Sequence, residues 1–363
     1  MALLPNAETF KQLVDGSAQG PGPATARLLL AAASLPYAAA VAVRNAAFDA
    51  GLLRSGTASV PVISVGNLTL GGTGKTPLVA WVARLLVDRG QKPTIVSRGY
   101  AARPGEQSDE AAELGVVLPG VPHVADRDRL AGARAAAAAG ADVIVLDDGF
   151  QHRRLHRDVD IVAIDATDPF GCSRLFPRGM LREPLRGLAR AHAVVLTRAT
   201  AITEARRAEI RTAFDTACRG HLPPAWMEAE HRPIVLRSAD GSTRPLELLR
   251  GGRVMAFSGI GNPAAFRSTL QALGADVVEF VGFPDHHAYD DHDRRRLGDR
   301  AAMAGAAFAV TTLKDLVKVR RQDLGGVPLV AVEIAMLALA GGDEVAAVVA
   351  AAAHTTSSRG QSR

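Results

Sequence analysis

The pattern of apolar and polar positions along the chain changes character twice. Residues 1–23 are mostly polar and contain Gly and Pro, which predicts a loosely held lead-in. Residues 28–43, LLLAAASLPYAAAVAV, carry no charge and are bracketed by Arg27 and Arg44. As a helix they would extend roughly 24 Å, short of a bilayer core of about 30 Å, and Pro36 would kink them. They start too far into the chain for a secretory signal, and no processing site follows in Arg44–Asp49. Two readings fit: a buried alanine-rich helix, or an interfacial helix lying on a membrane.

From Val60 the pattern becomes strand alternating with helix. Val62–Val65, Pro93–Ser97, Asp142–Leu146, Ile161–Ile164 and Ala193–Leu196 are short apolar runs that read as strands. Between them, Pro77–Arg89 ends at Gly90 and Asp128–Ala139 at Gly140, which are helix stop signals. Strands apolar without alternation, separated by helices, predict a parallel sheet covered on both faces. Pro223, Pro224 and Pro233 punctuate a mixed stretch after a helix at 203–218, and a second α/β unit follows. Its strands are Val254–Ser258, Asp276–Phe280 and Ala307–Thr311, and its helices lie near Pro263–Leu273 and Asp291–Ala304. The tail from His354 reads as disordered.

Composition narrows the class. The 363 residues are 48% hydrophobic and 22% charged, ordinary for a globular chain of about two domains. Cys172 and Cys218 are too few for a disulfide scaffold or a Cys-rich zinc fold, and suit a reducing compartment. A net charge of +5 is too weak to indicate nucleic acid, and 11 Phe, 3 Tyr and 2 Trp argue against base-stacking platforms. An acidic substrate or an anionic lipid surface remains compatible with the charge.

The strongest chemical signal is Thr69-Leu70-Gly71-Gly72-Thr73-Gly74-Lys75-Thr76, between a predicted strand and a predicted helix. Small residues there let backbone amides curl around a phosphate. Lys75 reaches the β/γ-phosphates, and Thr76 offers a hydroxyl to Mg²⁺. The usual pattern begins with Gly where this chain has Thr69. Asp147 and Asp148 end an apolar strand, where one carboxylate typically holds Mg²⁺ directly or through water. ATP with Mg²⁺ is therefore expected. A guanine-specific Asn-Lys-x-Asp motif is absent at the later strand ends, where Leu196-Thr197-Arg198-Ala199 stands. Residues 151–190 hold eight arginines, including Arg174, Arg178, Arg182, Arg186 and Arg190, which fit an anionic acceptor or a solvated basic surface. Phe283 to Asp293 contains Asp285-His286-His287, open to a metal-cluster, a capped-loop or a catalytic-His reading, the last preferred. Gly259-Ile260-Gly261-Asn262-Pro263 lacks the third Gly of a dinucleotide fingerprint and reads as a strand–helix turn.

Taken in order, several segments resemble one family. They are Val65–Thr69 through Pro77, Ser97-Arg98-Gly99-Tyr100, Asp147-Asp148-Gly149-Phe150-Gln151-His152 and Arg182-Glu183-Pro184. Phe257–Pro263, Asp285-His286 and Thr311-Thr312-Leu313-Lys314-Asp315 continue the series. Together they resemble the tetraacyldisaccharide 4′-kinases, over roughly residues 25–335. The resemblance implies transfer of the ATP γ-phosphate to the 4′-hydroxyl of a lipid A disaccharide 1-phosphate precursor. It places the protein at the cytoplasmic face of the bacterial inner membrane, as a monomer acting on an anionic glycolipid.

The implied fold is a P-loop lobe, a parallel sheet sandwiched by helices, with a second smaller α/β/α lobe. The expected division is a lead-in at 1–23, a membrane-associating helix at 24–55, the P-loop lobe at 56–225, the second lobe at 226–345 and a tail at 346–363. Carried over by motif, residues 69–76 hold the nucleotide, and Thr76, Asp148 and Glu183 sit near the metal with Asp147 adjacent. The family's catalytic Asp lies in a Gly-Asp-Glu-Pro stretch; Ser108-Asp109-Glu110-Ala111 stands here, so Asp109 is the candidate base and His286 its partner. Placed in different lobes, the two would be assembled by closure. Leu313 departs from an acidic residue usual in the family. A membrane-associated P-loop ATPase or switch is the competing class.

Overall fold

The computed structural model describes residues 7–99, 108–218 and 224–354. In chain order its elements begin with α1 (Ala7–Asp15), α2 (Pro21–Asp49), β1 (Val62–Asn67), α3 (Lys75–Val87), β2 (Pro93–Ser97) and α4 (Asp109–Val117). Next come β3 (His123–Ala125), α5 (Arg129–Ala138), β4 (Val143–Asp147), β5 (Val159–Asp165), β6 (Ala193–Thr197), α6 (Glu204–Ala217), β7 (Ala225–Arg237) and β8 (Thr243–Arg244). The last are β9 (Arg253–Ser258), α7 (Pro263–Ala272), β10 (Asp276–Gly282), α8 (Asp291–Met303), β11 (Phe308–Thr312), α9 (Leu313–Val319), β12 (Asp323–Leu324), β13 (Val327–Ala340) and α10 (Gly342–His354). The chain forms two compact units. The first takes residues up to Arg98, Val121–Glu230 and the chain from Leu337 onward; the second takes Gly99–Gly120 and His231–Met336.

In the first unit the strands run β7-β6-β5-β1-β4-β2-β3, and every neighbouring pair is parallel. β1 and β4 are buried along their whole length, which is why their sequences are apolar without alternation. α3 buries Leu78, Val79, Val82, Ala83 and Leu86 against the sheet. The strand–loop–helix order puts residues 68–74 at the C-terminal edge of the sheet, where open α/β sheets bind ligands.

Several boundaries differ from those read from sequence. The lead-in contains a helix, α1, whose Val14 is buried, because Phe10 and Val14 share one apolar face. α2 is continuous through Pro36, although proline removes one donor from the ladder. Residues 342–354 are a helix that packs on α3, β1 and β5. Val345, Val349, Ala352 and Ala353 recur at helical spacing and are buried. The end of the tail, predicted disordered, lies outside the described residues.

The second unit orders its strands β10-β9-β11-β13, all parallel, with β12 antiparallel to β13. Residues 99–120, placed in the P-loop lobe by the sequence reading, belong here because α4 packs on α9 and Val116 and Val117 join the core around Phe257, Leu313 and Leu316. Leu313, the departure from an acidic residue, is buried in that apolar core.

Candidate active site

The loop between β1 and α3 turns its carbonyls outward onto the scaffold. The Leu68 carbonyl accepts from the Arg182 amide at 2.7 Å, and the Thr69 carbonyl from Asn67 Nδ2 at 2.6 Å. The Gly72 carbonyl accepts from Arg198 at 3.3 Å, and the Thr73 carbonyl from the Thr197 hydroxyl at 2.9 Å. The Leu70 amide is likewise taken, by the Met180 carbonyl at 2.7 Å, and the amides from Gly71 onward remain for an anion. Gly74 caps α3 in a left-handed conformation with no side-chain cap, so the helix N-terminus keeps its donors and its positive dipole end. Gly71 has φ +103°, which only glycine adopts cheaply.

Lys75, the first residue of α3, sits over this loop. Its Nζ donates to Asn67 Oδ1 at 3.2 Å and pairs with Asp148 Oδ1 at 3.5 Å. Arg182 donates to both Asp148 oxygens at 3.0 Å. Burial works to raise the Asp148 carboxyl, but Lys75 and Arg182 outweigh it and hold it below the usual carboxylate range. Asp148 itself has φ 53°, a left-handed backbone that turns its side chain off the line of β4. Asp147 is buried at the end of β4.

Glu183 is fully buried. Its Oε2 accepts from Arg190 at 2.8 Å and from Asn45 at 3.2 Å, and its Oε1 accepts from Gln151 at 3.0 Å. Both oxygens are thus engaged by protein donors. The arginines of the basic run divide similarly. Arg182 and Arg190 serve internal carboxylates, and Arg178 donates to the Val14 carbonyl at 3.0 Å. Arg174 and Arg186 are exposed.

A second cluster lies within the second unit. Asp109 opens α4, behind the Ser108 N-cap whose side chain accepts from the Ala111 amide. His286, at φ 60° in the loop after β10, places Nδ1 3.2 Å from Asp109 Oδ2. Lys314 Nζ lies 3.3 Å from His286 Nε2 and 3.1 Å from Asp285. An ammonium only donates, so Nε2 is the acceptor and Nδ1 carries the proton given to Asp109. Lys318 Nζ stands 3.5 Å from Asp109 and 3.0 Å from the fully buried Asp315, whose Oδ2 in turn accepts from the Gly259 amide. Asp109 and His286 therefore meet inside one unit; the expectation that they come from different lobes is corrected by the packing of α4 on α9. His287 instead bonds Asp293 at 2.7 Å and stacks on Phe283, and Asn262 caps α7.

Sequence reading missed Lys318, the Arg182 grip on Asp148, and the α2 residues Tyr37 and Asn45. Spacing offers no signal for the last two, since Tyr37 donates to the Arg182 carbonyl 145 residues away.

A parallel sheet whose central strand ends in a loop of inward amides, with a lysine at the head of the next helix, is the architecture of P-loop nucleotide-binding proteins. This chain is one of them. Its sequence matches the profile of the tetraacyldisaccharide-1-P 4′-kinases over residues 26–349, and the chain belongs to that family. It is 41% identical to the tetraacyldisaccharide 4′-kinase of Syntrophus aciditrophicus over 345 residues, 88% of this chain and 92% of that one. It is 43% identical to the protein of the same name from Anaeromyxobacter dehalogenans strain 2CP-C, over 82% of this chain and 83% of that one. The crystal structure of LpxK from Aquifex aeolicus in complex with ATP superposes with a TM-score of 0.73 at 32% identity, covering 90% of this chain and 99% of that one.

Proposed function

We propose that this chain transfers the γ-phosphate of ATP to the 4′-hydroxyl of a tetraacyldisaccharide 1-phosphate, the reaction for which its family is named. The observation that carries the reading is the pairing of two kinds of machinery in one chain. One is an amide loop with Lys75 and Asp148, suited to polyphosphate; the other is an Asp109–His286 dyad suited to a hydroxyl proton. The loop residues Thr69, Leu70, Gly71, Gly72, Thr73 and Gly74 form the phosphate-binding turn, in which the amides from Gly71 onward bind the phosphates while the Leu70 amide is held by the Met180 carbonyl, and Lys75 spreads the charge of the transferring group. Asp109 accepts the 4′-hydroxyl proton, held in orientation by the protonated Nδ1 of His286.

Mg²⁺ fits the donor set. Thr76 offers a hydroxyl and Asp148 an ionised, part-exposed carboxylate. Among the described residues no group of three or more His, Cys, Asp or Glu side chains forms a closed metal cage. One or two protein ligands completed by phosphate oxygens and water is how Mg²⁺ is usually bound to nucleotides. Bound there, the ion supplies neutralisation of phosphate charge. Asp147 is adjacent, and Glu183, already engaged by three donors, acts behind Asp148 as a support for Arg190 and Gln151.

The acceptor is a glycolipid, so in this reading the protein works at a membrane surface, the cytoplasmic face of the inner membrane. α2 supports this placement. Leu28, Leu29, Leu35 and Val43 are 66–72% exposed and lie along one side of the helix. Tyr37, Val41, Asn45 and Phe48 hold its other side to the first unit, so a helix lying on the surface fits better than one crossing it. Exposed Arg174 and Arg186 suit acceptor phosphate or lipid headgroups.

The test is phosphoryl transfer in mixed micelles with labelled ATP, Mg²⁺ and the disaccharide 1-phosphate. A 1,4′-bisphosphate product lost in Lys75→Ala and Asp109→Ala is expected. ATP hydrolysis without that product would refute the kinase reading in favour of a membrane-associated ATPase.

A further inference from the structure

α2 touches more than a lipid surface. Its docked side sends two hydrogen-bonded chains toward the phosphate loop. In the first, the Tyr37 hydroxyl donates to the Arg182 carbonyl at 2.7 Å. The Arg182 amide donates to the Leu68 carbonyl of the loop, and its guanidinium holds Asp148, which pairs with Lys75. In the second, Asn45 donates to Glu183, Glu183 accepts from Gln151, and Gln151 donates to the Asn67 carbonyl at 2.9 Å. The Asn67 side chain then accepts from Lys75 Nζ. Both chains end on the same ammonium.

We propose that Tyr37 and Asn45 are positioning residues for the nucleotide site: α2 sets the register of Arg182 and Glu183, and through them the places of Asp148 and Lys75. This deepens the kinase reading above and rests on it for the turnover measurement. The physical case begins with Glu183. A fully buried carboxylate is tolerated only where its lone pairs are satisfied, and α2 supplies one of its three donors. Arg182 is held at its amide, its carbonyl and its guanidinium, and Tyr37 supplies the carbonyl donor. Leu70 donating to the Met180 carbonyl continues the same pairing, so a shift of residues 180–183 moves the loop with it. The extended segment has no regular sheet of its own beyond isolated bridges to Thr69 and Leu175, and so depends on such outside contacts.

Tyr37→Phe removes the hydroxyl and keeps the ring, which packs edge-on against Phe176 at 5.6 Å. Asn45→Ala removes the donor, and Asn45→Asp sets a second carboxylate against Glu183. Each full-length variant would be titrated with MgATP by calorimetry in the absence of lipid, then assayed for kcat and for KM of the disaccharide 1-phosphate in micelles. Expected are MgATP affinities weaker by about three- to tenfold for Tyr37→Phe and Asn45→Ala, more for Asn45→Asp, as loss of one hydrogen bond predicts. kcat falls by a comparable factor while the lipid KM stays within about twofold. MgATP affinity and kcat equal to wild type in Tyr37→Phe, or a change confined to lipid KM, would overturn the proposal. Should Asn45→Ala fail to fold, Tyr37→Phe decides alone. A wild-type protein that makes no bisphosphate would sink the kinase reading, while the lipid-free titration still judges the positioning role.

Discussion

Gly66 lies in β1 one residue before Asn67, and a methyl group there has nowhere to go. A Cβ built on it would stand 2.6 Å from Phe150 Cβ, 2.8 Å from its amide nitrogen and 3.2 Å from its Cα. Two of these are backbone atoms, and Phe150 is fully buried, so the neighbour cannot swing aside. To regain ordinary contact the Phe150 backbone must retreat by roughly 0.6–0.8 Å, an overpacking strain of about 1–3 kcal/mol. At about 2–4 °C per kcal/mol for a domain of 150–250 residues, Gly66→Ala should melt roughly 2–12 °C below wild type. Phe150 is two residues beyond Asp148, so the retreat also draws that carboxylate from Lys75. Misplacement on this scale predicts a turnover loss of about ten- to a hundredfold. The comparison is Gly72→Ala, whose new Cβ meets nothing within 4 Å and whose melting temperature should stay within about 1 °C. Thermal melts by circular dichroism and the micelle assay measure both effects. Gly66→Ala melting and turning over like wild type would refute the packing argument, as would equal destabilisation by the two substitutions.

Other outcomes follow from the same geometry. His286→Ala should lower kcat by about a hundredfold with MgATP affinity unchanged, because in the proposed mechanism it orients the base and not the nucleotide; weakened MgATP binding in calorimetry would contradict this. Burial pushes the Glu113 carboxyl up to about 7, against the pull of Lys314 and with the like charges of Glu110, Asp315 and Asp109. The native state then binds the proton more tightly than the unfolded chain, so stability falls as pH rises from about 4.5 through 7. Glu113→Gln should flatten that slope and stabilise the protein at pH 8 by on the order of 1–2 kcal/mol, discounted for partial exposure; urea melts at pH 5 and pH 8 read it, and an unchanged slope speaks against it. Leu28→Ser with Leu35→Ser should reduce sedimentation with anionic vesicles severalfold while leaving the melting temperature near wild type, since both side chains are more than 70% exposed. Undiminished vesicle binding would remove α2 from the membrane contact.

What the sequence determined by itself was local. β1, β2, β4, β5 and β6 were legible because strands buried on both faces carry short apolar runs in place of a polar–apolar alternation. The phosphate loop was legible because its amides, Lys75 and Thr76 are neighbours in the chain, and chain order alone sets them on one turn. The family resemblance rested on such short contiguous segments. The long strand β7 was not foreseen, because its mixture of buried and part-exposed positions around Pro233 resembles a loop, and the apolar run of β13 was not read as a strand.

Only the tertiary structure decided which distant side chains meet. It moved residues 99–120 into the second unit, because Val116 and Val117 find an apolar core there. That placed Asp109 beside His286, 177 residues away, with Lys314 setting the tautomer between them. It also committed Glu183 to Asn45, 138 residues back, since a buried carboxylate must take whatever donors the packing brings. Periodicity and motif report what a residue does to its neighbours in the chain. Hydrogen bonds across more than a hundred residues depend on where the packed elements finally lie, and that information is held by the fold as a whole.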